Sequence, residues 1–92
     1  MGNSILRWSS DERPREKMKS KGISALSDTE LLAILLQNGT RGKTAVDLGR
    51  DILAQSKHNL VELGRLTLRE IMKVKGVGEA KAIIIMAALE LG

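Results

Sequence analysis

The stretch that decides the fold of this chain reads Lys73-Val74-Lys75-Gly76-Val77-Gly78-Glu79-Ala80-Lys81-Ala82. Two glycines lie two positions apart, between a short helical pattern over residues 68–73 and a longer apolar pattern over residues 79–91. A Gly-x-Gly turn that opens a helix presents several backbone N–H groups on one concave surface, because glycine tolerates positive φ and has no side chain to block a ligand. The stretch therefore predicts two helices joined by a tight turn.

The predicted turn has the properties of an anion site. The first N–H groups of a helix have no intrahelical partner, and the helix dipole adds positive potential at that end. Together they suit a phosphate group, and lysines flank the turn on both sides. This is the pattern of a helix-hairpin-helix motif, which grips nucleic-acid backbone without reading bases. The predicted DNA-backbone contacts of this turn are Lys75, Gly76, Val77, Gly78 and Lys81.

A weaker copy of the pattern lies about 36 residues earlier in the chain. Residues 30–53 read as a helix, a turn with glycines at Gly39 and Gly42, and a second helix. This turn has one more residue between its glycines than the later one. Two such motifs would let paired hairpins meet two backbones across a minor groove. The predicted DNA-backbone contacts of the earlier turn are Gly39, Arg41, Gly42, Lys43 and Thr44.

The run Gly42-Lys43-Thr44 also imitates the end of a nucleotide-binding P-loop. That motif requires a glycine five positions before Gly42, where Gln37 stands. It also requires a preceding strand, whereas residues 31–36 read as a helix. Nucleotide binding is therefore the weaker interpretation of this run.

The whole chain reads as all-α, with no segment that alternates like a strand. We expect a compact bundle of about five short helices with two helix-hairpin-helix-like motifs. Residues 1–10 are expected to be a flexible lead-in, and residues 11–92 a helical domain whose first helix has Pro14 in its first turn. Capping boxes are predicted at Ser27 with Glu30 and at Thr67 with Glu70. The apolar run over residues 83–91 is expected to be core.

Composition limits the function classes. The chain has 92 residues, no cysteine and a formal charge of +4. This fits one cytoplasmic domain without disulfides or thiolate metal sites, and it favours polyanionic partners. Trp8 is the only aromatic residue, so base stacking on a sheet is not expected. His58 is the only histidine, and no acid–base, nucleophilic or metal-ligand constellation is present. We expect no catalysis, no cofactor and no membrane association.

Four ordered blocks of sequence carry a family resemblance, namely residues 11–17, 25–36, 39–43 and 75–82. They closely resemble the N-terminal domain of bacterial RadC-like proteins, a family labelled with DNA repair. We expect a fold similar to the second domain of RuvA and a module that binds duplex, branched or single-stranded DNA without sequence specificity. The resemblance also implies that this domain precedes a metal-binding domain of the JAB/MPN type, and nothing in the chain matches that second domain.

A different class of function stays open at this point. In this alternative, the chain is a protein-interaction module that docks on the JAB/MPN domain or on another partner. That alternative predicts an apolar surface patch in place of a basic one.

Overall fold

A computed structural model describes the backbone of residues 2–92 and the side chains of residues 11–92. The described chain is helical and contains no strand, apart from one isolated bridge between Thr40 and Lys43. The all-α prediction is confirmed, with six α-helices where about five were expected. Within residues 2–92, no helix is both long and apolar enough to cross a bilayer. The helices are α1 (Gly2–Lys21), α2 (Asp28–Leu36), α3 (Ala45–Ala54), α4 (Leu60–Leu63), α5 (Leu68–Met72) and α6 (Glu79–Leu91), with a 3₁₀ turn at Ile23–Ala25.

The first helix differs from the prediction. It begins at Gly2, whereas the sequence predicted a helix starting near Asp11. Pro14 therefore lies inside α1 and not in its first turn, and it removes one amide donor from the helix. Its ring is fully buried, so packing against the rest of the domain compensates for the lost hydrogen bond. The predicted lead-in over residues 1–10 lies outside the residues whose side chains are described.

Side-chain oxygens cap four of the helices. Complete capping boxes open α2, α3 and α5, and the Asn59 side chain caps α4. The two predicted boxes are confirmed. The α3 box was missed because its acidic partner is an aspartate, where the motif normally has Glu or Gln. The boxes pair Ser27 with Glu30, Thr44 with Asp47, and Thr67 with Glu70.

The core lies between α3 and the C-terminal helices. Fully buried side chains come from each of α3, α4, α5 and α6, and α2 packs along α3. The two helices approach closely at Gly49, where an added Cβ would lie 2.9 Å from the Thr29 carbonyl oxygen. The largest fully buried aliphatic side chains are Leu48, Ile52, Leu63, Ile71 and Ile85.

Helix α6 is buried on one face only. Ala82 and Ile85 are fully buried, but Ile83 is 50% exposed, Ile84 41% and Leu91 90%. The prediction that the whole run over residues 83–91 is core is therefore wrong. A helix packed against one layer of neighbours buries a single stripe, however apolar its other residues are. The exposed apolar residues form what we call the outer stripe of α6: Ala80, Ile83, Ile84, Ala87 and Leu91.

Candidate nucleic-acid interface

The first turn, residues 39–44, connects α2 to α3. It closes on two backbone hydrogen bonds, from the Thr40 N–H to the Lys43 oxygen (2.9 Å) and from the Lys43 N–H to the Thr40 oxygen (3.0 Å). Between them Gly42 adopts a φ of +84°, the value of the third residue of a type II turn. Arg41 and Gly42 are thereby held at the exposed tip of the turn.

The second turn, residues 75–78, connects α5 to α6 and is tighter. The Val77 N–H donates to the Val74 carbonyl (3.0 Å), and both valine side chains are buried. Gly76 adopts a φ of +94°. Gly78 has a φ of −88°, a value open to any residue. Positive φ therefore explains only the first glycine of the Gly-x-Gly pattern, and Val77 is an anchor of the turn whose N–H already has an acceptor.

The two turns touch each other. A Cβ added to Gly76 would lie 2.9 Å from Thr40 Oγ1 and 3.0 Å from Leu48 Cδ2. The turns together line a single cavity of about 360 Å³, formed by Thr40, Arg41, Gly42, Lys43, Lys75 and Gly76. Three of these lining residues are Lys or Arg, so the cavity is basic.

The start of α6 offers backbone donors to this surface. Gly78 is its N-cap residue and supplies no side-chain cap, in contrast to the capped starts of α2, α3, α4 and α5. The first intrahelical bond runs from the Ala82 N–H to the Gly78 oxygen (3.1 Å). The N–H groups of Glu79 and Ala80 therefore have no helical acceptor. No side chain stands over Gly78, where an added Cβ would meet nothing within 4 Å.

The backbone donors at the two ends of the first turn already have partners. The Asp11 carboxylate, reaching across from α1, accepts from the Gly39 N–H (3.1 Å) and from the Ala45 N–H (2.7 Å). The Thr44 N–H donates to the Asp47 carboxylate (3.1 Å). The sequence predicted phosphate contacts at both turns, but in the structure two carboxylates cover these donors of the first one.

The predicted cations differ in their availability. Arg41 and Lys75 are exposed, and Lys81 is half-buried at the start of α6. Lys43 forms an ion pair with Asp51 of α3. The structure thus brings Arg41, Lys43 and Lys75 to one cavity, with the charge of Lys43 offset by its partner.

Thr44 acts as the N-cap of α3. Its hydroxyl accepts from the Asp47 N–H (3.1 Å). The Thr44 backbone N–H in return holds the pKa of Asp47 below its ordinary value, with smaller contributions from the Thr44 hydroxyl and Arg50. The segment before Gly42 is helix α2 in place of the strand that a P-loop requires. Thr44 is therefore engaged within the fold, and the P-loop interpretation loses its structural context.

Asp11 is the site residue that sequence reasoning missed. It lies 28 positions before Gly39 and 34 before Ala45, so no local motif links them. In the sequence, Asp11 belongs to the block over residues 11–17 that carries the RadC-like resemblance, and nothing there links it to the first turn. Within residues 11–92, no three His, Asp or Glu side chains converge as metal ligands.

The fold and the site define a class of protein: a small all-helical domain with two adjoining basic turns. The sequence profile of the UPF0758 N-terminal family matches residues 5–83, and the chain belongs to that family.

Its relatives include UPF0758 proteins of three bacteria. The protein of Flavobacterium johnsoniae is 52% identical over 96% of this chain and 38% of its own length. The protein of Trichlorobacter lovleyi is 50% identical over 98% of this chain and 40% of its own length. The protein of Alkaliphilus oremlandii is 52% identical over 97% of this chain and 38% of its own length. The chain thus spans about two fifths of the length of these curated relatives. No solved structure matches it significantly.

Proposed function

We propose that this chain is a DNA-binding module that grips phosphate backbone without sequence specificity. The observation that carries the proposal is the meeting of the two turns, which brings Arg41 and Lys75 to one cavity, with Lys75 three residues before Gly78, the uncapped N-cap of α6. Backbone donors, helix dipole and mobile cations are the elements that bind phosphate in proteins. The predicted contacts with open donors or exposed charge are Arg41, Lys75, Gly78 and Lys81.

Base reading is not part of the proposal. A major-groove reader needs a helix with polar side chains that reach base edges. The helix that starts at the site, α6, presents mostly apolar side chains outward, including Ile83 and Ile84. Contacts to phosphate fix position and carry no sequence information, so we expect similar affinity for DNA of different sequence.

The RadC-like resemblance extends the proposal to the longer protein. We propose that the module is non-catalytic and delivers a tethered metal-binding domain of the JAB/MPN type to DNA in a bacterial repair pathway. The relatives are about two and a half times longer than this chain, which leaves room for such a domain.

Neutralising single lysines tests the proposal. We expect Lys75→Gln and Lys81→Gln each to weaken binding to a short duplex and to lower the salt slope by about 0.9 per lost phosphate contact. Lys57→Gln is the matched control, because Lys57 is exposed beyond the far end of α3. Equal effects of all three substitutions would show that only net charge matters, and the assignment to the turns would fail.

A protein-docking function is the second candidate, and the outer stripe of α6 favours it. Ile83, Ile84 and Leu91 expose large apolar surface, which often marks an interaction surface. Ile84→Glu separates the two functions. Under the DNA proposal it leaves DNA affinity unchanged, whereas under the docking function it disrupts association with the rest of the longer protein.

A further inference from the structure

We propose that the cavity between the two turns binds the phosphates of one DNA strand only. We further propose that the Asp11 carboxylate occupies the phosphate position of the first turn, so that a second strand cannot bind there. This inference rests on the proposed DNA binding and specifies its substrate. It replaces the expectation of two equivalent hairpins that each hold one backbone across a minor groove.

Backbone donors at both ends of the first turn are already engaged. A hairpin that holds phosphate needs free N–H groups around its turn and at the start of its second helix. Carboxylates accept from the Gly39 N–H before the first turn and from the Thr44 and Ala45 N–H groups where α3 begins. The Asp11 carboxylate is part-buried and bridges two of them at 3.1 and 2.7 Å, so it takes the place that a phosphate would need.

The cations of the two turns converge. Arg41 reaches the cavity from the first turn and Lys75 from the second, so both turns direct charge to the same place. Since Gly76 packs against Thr40, the turns adjoin and share this one cavity. Two strands of a duplex lie on opposite sides of a minor groove about 6 Å wide, whereas consecutive phosphates of one strand lie side by side.

The unpaired charges are few. Lys43 is paired to Asp51, so the predicted DNA contacts that carry an unpaired cation are Arg41, Lys75 and Lys81, enough for about three phosphates. Three contacts on a single strand give a salt slope of about −2, or a loss of affinity of about twentyfold between 50 and 200 mM salt. Six contacts across a duplex would give a loss of about a thousandfold or more.

The test measures fluorescence anisotropy of labelled oligothymidines of 4, 8 and 16 nucleotides and of a 16-base-pair duplex. We expect the affinity per binding site to stop rising beyond about four nucleotides, once the number of positions at which the chain can bind a longer strand is taken into account. We expect the slope of log affinity against log salt concentration to be about −2 for single strands and about −2.7 for the duplex. A duplex slope of about −5 would overturn the one-strand inference and leave the proposed function standing. Absence of binding to any of these oligonucleotides at 50 mM salt would overturn both.

Asp11→Asn tests the role of the Asp11 carboxylate. The substitution removes the negative charge and keeps one oxygen acceptor, and Asp28→Asn, an exposed acid in the first turn of α2, is the matched control. We expect Asp11→Asn to raise duplex affinity and to steepen the duplex salt slope by about 0.9, because one further phosphate gains access to the first turn. Identical behaviour of the two variants would contradict the assignment. The oligonucleotide series on the unaltered chain tests the one-strand claim even if Asp11→Asn impairs folding.

Discussion

Gly76 lies so close to Thr40 that a methyl group on Gly76 would come within 2.9 Å of the Thr40 hydroxyl oxygen. The second turn therefore packs against the first. The neighbouring Gly78 has open space around it and an ordinary φ. The two glycines of one motif thus serve different purposes, since the first joins the turns and the second keeps the start of α6 accessible.

This difference predicts unequal effects of the two Gly→Ala substitutions on stability. Gly76→Ala forces a side chain into a left-handed conformation and into Thr40 and Leu48, so we expect a loss of about 2–4 kcal/mol in the free energy of unfolding. Gly78→Ala keeps an allowed backbone, and its poorer N-cap propensity is offset by lower unfolded-state entropy, so the change should stay within about 1 kcal/mol. Urea denaturation measures both. Equal losses would contradict the packing described at Gly76.

Gly78→Ala also predicts a loss of function without a loss of stability. The added methyl group stands at the uncapped start of α6, where a phosphate must approach the backbone N–H groups of Glu79 and Ala80. We expect DNA affinity to fall about tenfold, equivalent to about 1.4 kcal/mol, as measured by anisotropy with a short duplex. Gly64→Ala is the control, because Gly64 lies at the end of α4 and has only ordinary contacts around it. Unchanged affinity in folded Gly78→Ala would remove α6 from the binding site.

The capping boxes predict an acid dependence of stability. The Ser27 N–H, followed by the Lys17 ammonium, holds the pKa of Glu30 below its ordinary value, and the Thr67 N–H does the same for the pKa of Glu70. Groups whose pKa is lower in the folded state stabilise it at neutral pH, and this stabilisation is lost as pH falls below about 5.

The double variant Glu30→Gln/Glu70→Gln keeps side-chain acceptors for both caps but cannot ionise. We therefore expect its urea midpoint to change less between pH 7 and pH 3.5 than that of the unaltered chain. Glu90→Gln, at the exposed end of α6, is the control and should keep the full acid dependence. A double variant with undiminished acid sensitivity would show that these two carboxylates are not its source.

Neighbouring isoleucines of α6 predict unequal costs of truncation. Ile85 is fully buried among the core side chains, so Ile85→Ala should lower the free energy of unfolding by about 2–5 kcal/mol. Ile84 is 41% exposed, and Ile84→Ala should cost about 1 kcal/mol or less. Thermal or urea unfolding of the two variants checks the orientation of the helix. A larger cost at Ile84 would mean that the outer stripe is covered in solution.

Local signals in the sequence predicted most of the helical architecture. Residues such as Ser27, Thr67 and Gly76 act within one turn of chain, so their effects can be read from a short window. The start of α1 could not be found in this way, because Pro14 looked like a first-turn residue and only its burial in the fold explains an interior position.

Local signals in the sequence also predicted part of the candidate site. Spacing alone identified Gly76 and Gly78 and the lysines around them, but it could not separate their roles. The carboxylate of Asp11 reaches Gly39 from another helix, and that contact exists only once α1 is packed. Similarly, the apolar pattern of α6 could not show which of Ile83, Ile84 and Ile85 faces the core, because all three are equally hydrophobic.

The most direct test of DNA binding at the adjoining turns is a titration of the isotope-labelled chain with a short oligonucleotide, following backbone amide resonances. The account predicts the largest shifts at residues 76–81 and at Arg41 and Gly42, with small shifts at Gly39 and Ala45, whose N–H groups are held by Asp11. Shifts scattered over the surface, or concentrated on the outer stripe of α6 beyond Ala80, would contradict it.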